Sequence, residues 1–120
     1  MFVEHVQNII KGLQQKKYTV STTPPKSPKQ LYVDIGDITL EVESFNTYFV
    51  RCEVIVAFYA KNMLDGLQFF EQLIRDLVEV LNFYNISFDN VYKDVVTEVL
   101  GEGRIIGIVL EFEEIIEVSE

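Results

Sequence analysis

The chain has 120 residues, 48% of them apolar, with nine Phe, six Tyr and a formal net charge of −9. This composition describes one folded domain with a single core, residues 1–120, and excludes global disorder. No uncharged apolar run approaches the roughly 20 residues that cross a bilayer, and the only cysteine, Cys52, excludes an intrachain disulfide and argues against a zinc site.

Phe2, Val3, Val6, Ile9, Ile10 and Leu13 recur at helical spacing and predict a helix over Phe2–Gln15, with Gly12 weakening its last turn. The opening Met-Phe-Val-Glu-His lacks the basic and apolar regions of a signal peptide, so synthesis in the cytoplasm is the expectation. Tyr18-Thr19-Val20 reads as a short extended segment. Ser21–Gln30 holds all three prolines and no large apolar residue, and predicts a flexible, basic, proline-rich loop at 21–30. Leu31–Ile35 reads as a short strand and Gly36-Asp37 as a turn. Ile38, Leu40 and Val42 then alternate with Thr39, Glu41 and Glu43, the pattern of a half-buried strand with its acids outward.

After a turn at Ser44–Thr47 comes a long alternating segment, Tyr48–Ala60. Tyr48, Val50, Cys52, Val54, Val56 and Phe58 lie on its apolar face, with Phe49, Arg51, Glu53, Ile55, Ala57 and Tyr59 on a mixed one. Asn62 is a good helix N-cap, with Asp65 three residues on. Leu64, Leu67, Phe70, Leu73, Ile74, Leu77, Val78 and Leu81 form a wide stripe that predicts a second helix, Met63–Asn82, lying across the sheet. Ile86–Phe88 reads as a brief strand or bulge and Val91–Leu100 as a strand. Gly101-Glu102-Gly103 closes a hairpin into a second long segment, Gly103–Val118. The order is α-β-β-β-α-β-β, an α+β fold with two helices packed on one face of a mostly antiparallel sheet.

Charge is unevenly placed. Residues 1–29 hold five lysines against Glu4, whereas residues 30–120 hold five basic residues against eighteen acids. A body this acidic repels nucleic-acid phosphates. It could instead steer copies head to tail, basic segment to acidic face.

No catalytic constellation is visible. His5 lies one residue off its helix's apolar stripe, without a nucleophile or metal-ligand set beside it, and reads as a boundary histidine. Cys52 falls on the apolar face and reads as an inert buried thiol. Glu41/Glu43 and Glu111/Glu113 are alternate residues on the less apolar strand faces, where acids keep a strand soluble. Gly101-Glu102-Gly103 lacks the lysine and helix of a phosphate loop. No cofactor is implied. What remains is surface: Phe49, Ile55, Tyr59, Ile105, Val109 and Ile115 cannot all be covered by helices on the opposite face. Either the sheet curls around them or they meet another subunit.

In the order of its elements the chain resembles the tail terminator or tail-completion proteins of long-tailed phages. A short helix (Phe2–Gln15) leads to a proline-bearing loop (Ser21–Gln30) and a meander ending in a long strand (Tyr48–Ala60). One long helix (Met63–Asn82) and a hairpin ending in an acidic strand (Ile105–Val118) complete it. The resemblance implies a ring, commonly of six copies, that ends the tail tube, stops its growth and meets the head connector. Its partners would be further copies, the tube protein and a head-completion protein, first in the host cytoplasm and then in the virion tail. No catalytic residues come with the family. The expected interface is Lys26 and Lys29 of the loop with Phe49, Arg51, Ile55, Tyr59, Ile105, Val109, Glu111 and Glu113. A second reading is a non-catalytic binding module, such as an assembly chaperone or an inhibitor; a third is a small carboxylate-based enzyme.

Overall fold

A computed structural model describes residues 2–24 and 30–118. Its elements run α1 (Phe2–Gln15), β1 (Val20–Ser21), β2 (Leu31–Ser44), β3 (Thr47–Ala60), α2 (Met63–Phe83), a single turn α3 (Phe88–Val91), β4 (Tyr92–Leu100) and β5 (Gly103–Glu117). The five strands form one sheet in the order β1-β2-β3-β5-β4, antiparallel except for the short β1–β2 pair. The α+β order therefore stands as expected, but the first three strands divide differently. β1 is the pair Val20–Ser21, and β2 is one strand running through the expected turn. At Gly36-Asp37 two residues oppose the single Glu53, because Ile35 pairs with Val54 and Ile38 with Cys52. This is a β-bulge. The Asp37 N–H donates to Glu53 Oε1 at 3.0 Å, and a Cβ at Gly36 would come within 2.8 Å of that same oxygen. Ile86–Phe88 is likewise not a strand: Phe88 opens α3.

Both long helices end on a non-glycine residue with positive φ, Lys17 (77°) and Asn85 (60°). The next N–H reaches back five residues in each case, Tyr18 to the Leu13 carbonyl and Ile86 to the Leu81 carbonyl. These bonds satisfy carbonyls that the helix leaves orphaned. At the start of α2, Asn62 Oδ1 accepts from the Asp65 N–H at 2.9 Å, as a capping residue should.

The helices lie antiparallel on one sheet face. Ile9 and Leu13 of α1 and Leu73, Leu77, Val80 and Leu81 of α2 bury against Val33, Val54, Val56, Phe58, Ile108, Leu110 and Phe112. Gly12 sits where they approach most closely, since a Cβ there would lie 2.4 Å from Val80 Cγ1. Its conservation of space matters more than the helix propensity it sacrifices. Tyr18 Oη donates to Asp76, and Lys16 pairs with Glu79, tying the exit of α1 to the middle of α2. Burial and the Asp76 carboxylate together push the Tyr18 phenol well above its ordinary value.

The stripe along α2 is buried only in part. Leu73 and Leu77 are fully buried, whereas Met63, Leu64 and Leu67 in its first turns are exposed. Leu73→Ala is accordingly expected to cost about 2–5 kcal/mol and Leu64→Ala no more than about 0.5 kcal/mol, measured by denaturant unfolding. Gly12→Ala would favour an isolated helix by about 1 kcal/mol; here the crossing should reverse the sign and destabilise by about 1–3 kcal/mol.

Candidate interface

Register places the expected interface residues on one surface. Along β3 and β5 the pairs are Phe49 with Ile115, Arg51 with Glu113, Glu53 with Glu111, Ile55 with Val109, Ala57 with Gly107 and Tyr59 with Ile105. All alternate with core residues, so they share the sheet face that bears no helix. Lys26 and Lys29 lie outside the described residues.

Much of this face is closed from within. Val109 is 5% exposed and Ala57 is buried, so Val109 is not available as a contact in this conformation. Ile55 and Val96 lean over Gly107, where a Cβ would lie 3.1 and 3.3 Å from their methyl groups. Tyr59 likewise covers Gly103, to which a Cβ would bring its hydroxyl within 2.5 Å. The curled sheet leaves a groove of about 480 Å³ lined in part by Tyr32, Ile55, Val96 and Ile105.

The charged part of the same face is organised in two cross-strand triads. Arg51 on β3 donates through Nη1 to Glu41 on β2 at 2.9 Å and through Nε to Glu113 on β5 at 3.0 Å. Its guanidinium carbon also stands 5.6 Å from the centre of the Phe49 ring. A second bulge, between Tyr92 and Asp94, turns Lys93 of β4 toward the directly opposed Glu53 and Glu111. Lys93 hydrogen-bonds Glu53 and pairs with Glu111 at 3.2 Å. Glu111 and Glu113, expected to face a partner, are therefore each already paired with a cation inside the chain, although each triad keeps one excess negative charge. The Lys93 ammonium first, and the Asp37 N–H second, hold the Glu53 carboxyl below the usual carboxylate range.

An uncovered apolar surface lies on the helix side, where the alternation implied a buried strand face. β2, β3 and β5 run past the ends of the helices as a three-stranded arm. Ile38 pairs with Cys52, Leu40 with Val50 and Val42 with Tyr48, so all three side chains of β2 project to that side. They are exposed, Val42 by 72%, and Phe45 at the tip by 85%. His5 stacks on Phe112 with centroids 4.4 Å apart and closes the core at the root of the arm. Burial foremost lowers the His5 pKa. At the opposite end Met63 and Leu64 are 74% and 66% exposed, beside a groove of about 470 Å³ formed by Ala60–Met63, Val99 and Glu102–Arg104. Helical and strand periodicity find both sets of residues but say only which face they share, not whether anything covers it.

The described residues hold no cluster of three or more His, Cys, Asp or Glu arranged for a metal. Every buried side-chain nitrogen or oxygen among them has a hydrogen-bond partner. Cys52 is buried, and burial raises its thiol pKa. No helix among the described residues is long and apolar enough to cross a membrane. Compared with protein-family models and with curated proteins, the chain matches none.

Glu53 ionises more readily folded than unfolded. It therefore stabilises the protein above the ordinary carboxylate value of 4.5, and that stabilisation fades as pH falls through its own lowered value. In Lys93→Met, Glu53 and Glu111 would face each other without a cation. The Glu53 titration, followed by carboxyl-carbon NMR, should move up in pH, and acid unfolding should begin at higher pH. An unmoved Glu53 titration would show that the second triad does not hold its charge.

Proposed function

We propose that this protein is a structural subunit of a phage tail, a terminator whose copies close into a ring on the end of the tail tube. The ring stops tube growth and offers its other side to the head connector. The observation that carries the reading is the arm. Three paired strands extend beyond their helices and hold Ile38, Leu40, Val42 and Phe45 in solvent. A small monomer rarely leaves so contiguous an apolar surface uncovered unless a partner covers it. The element order supports the reading, since from the N-terminal helix to the acidic last strand it resembles that of terminators.

The acidic arm also suits a passage for DNA. Asp37, Glu41, Glu43, Glu111, Glu113, Glu114 and Glu117 lie between residues 37–51 and 111–118 with Arg51 as the one cation of those segments. Lys93 of β4 pairs with Glu111 beside them. A ring lined by such a surface lets a polyanion pass without adhering. A chaperone or inhibitor would use the same apolar shelf for a foreign chain, and the two readings part on mass.

Light scattering across a concentration series, with negative-stain micrographs, should show closed rings of one size. Added to polymerising tail-tube protein, the chain should shorten the tubes and decorate one end. A chain that stays monomeric at the highest concentration and leaves tube length unchanged would overturn the proposal.

A further inference from the structure

We propose that, in the ring inferred above, the arm of one copy seats Ile38, Leu40 and Val42 on the exposed first turns of α2, at Met63, Leu64 and Leu67, of the next copy. The inference rests on the ring reading and names the contact that builds it. The two apolar patches are at opposite ends of a molecule 54 Å long. β3 starts at Thr47 beside the arm tip and ends at Ala60, and Lys61-Asn62 then lead directly into α2. One copy thus carries both halves of the contact but cannot join them within itself.

Charge selects which patch meets which. The arm is acidic, and Glu114, paired in register with Val50, lies on the same sheet face as the Ile38–Val42 strip. The groove beside Met63 is lined by Lys61 and Arg104 against the single acid Glu102. Among the described residues, neither cation makes an ion pair. On the contacting face, arm against arm would set Glu114 near another Glu114, whereas arm against base sets it near Lys61 and Arg104. An arm-to-base contact is heterologous, so it repeats from copy to copy and is satisfied everywhere only when the rotation closes a ring.

Ile38 to Val42 spans about 13 Å of strand, about twice the ~6 Å that Met63 to Leu67 rises along α2, so the strip needs more than the helix turn alone to rest on. Val99, which lines the groove with Met63, adds apolar surface beside it.

Two single variants test the contact, Leu40→Asp in the arm and Leu64→Asp at the base. Both positions are exposed, and an unchanged melting temperature verifies folding; Leu40→Ser and Leu64→Ser replace either variant that aggregates. Each variant alone should remain monomeric at concentrations where the unaltered chain forms rings. Mixed in equal amounts they should form dimers and nothing larger, because one good arm then meets one good base and no further contact is possible. Rings from either variant alone, or a mixture that stays monomeric, would overturn the arm-to-base contact while the unaltered chain's rings keep the ring reading intact. An unaltered chain that never assembles would overturn both.

Discussion

β3 is hydrogen-bonded along its length on both sides, to β2 from Thr47 to Phe58 and to β5 from Thr47 to Ala60. A 14-residue strand is about 46 Å long. The longer helix has 21 residues and reaches only about 31 Å. Two helices lying antiparallel on the sheet cannot cover such a length, and the shortfall is the arm. The core ends where His5 meets Phe112 and the base ends where Gly66 packs on Ala60. Beyond the first of these limits the same alternation continues with nothing over it. The uncovered apolar surface is thus a consequence of strand length rather than of any unusual residue.

The open face meets the same constraint differently. Without a helix to bury against, its apolar centre is covered by its own neighbours. Gly107 makes this possible by leaving room for Ile55 and Val96 to converge. Toward the arm the face becomes charged. There Arg51 bridges carboxylates on the strands either side of it, and Lys93 of the edge strand bridges one on β5 and one on β3 beyond it. Exposed pairs of this kind add little to stability individually. Their effect is to keep opposed acids such as Glu53 and Glu111 from driving β3 and β5 apart, since like charges directly opposite weaken a sheet.

The elements with a long, unbroken period were legible in the sequence. α1, the Asn62 cap and the hairpin at Gly101, whose φ is 61°, follow from local chemistry alone. Gly36-Asp37 misled because a bulge and a turn use the same small and acidic residues; only the continued pairing of Ile38 with Cys52 distinguishes them. Leu64 and Leu73 occupy one stripe, yet one is exposed and the other buried, since periodicity encodes direction and not the extent of the opposing surface. Val109 was legible as a mixed-face residue, but its burial depends on how far the sheet curls. The Lys93 bridge depends on a one-residue bulge near the start of β4, for which Tyr92-Lys93-Asp94 carries no local signal.

The manner in which the arm can meet another chain is also constrained. Among the described residues β1 pairs only with Leu31 and Tyr32, and no strand lies beside the outer edge of β2 beyond them. β4 pairs with β5 no further than Leu110, which leaves a second open edge from Glu111 onward. Open edges ordinarily recruit further strands. Here the first carries a bulge with Asp34, Asp37, Glu41 and Glu43, and the second carries Glu111, Glu113, Glu114 and Glu117. Bulges and charges of one sign are what block strand addition. With both edges blocked and the helix-side face apolar, side chains rather than backbone must make the contact. A contact of that kind is set by which residues project from the face, so it can recognise one partner surface and refuse the indiscriminate stacking that a bare edge invites.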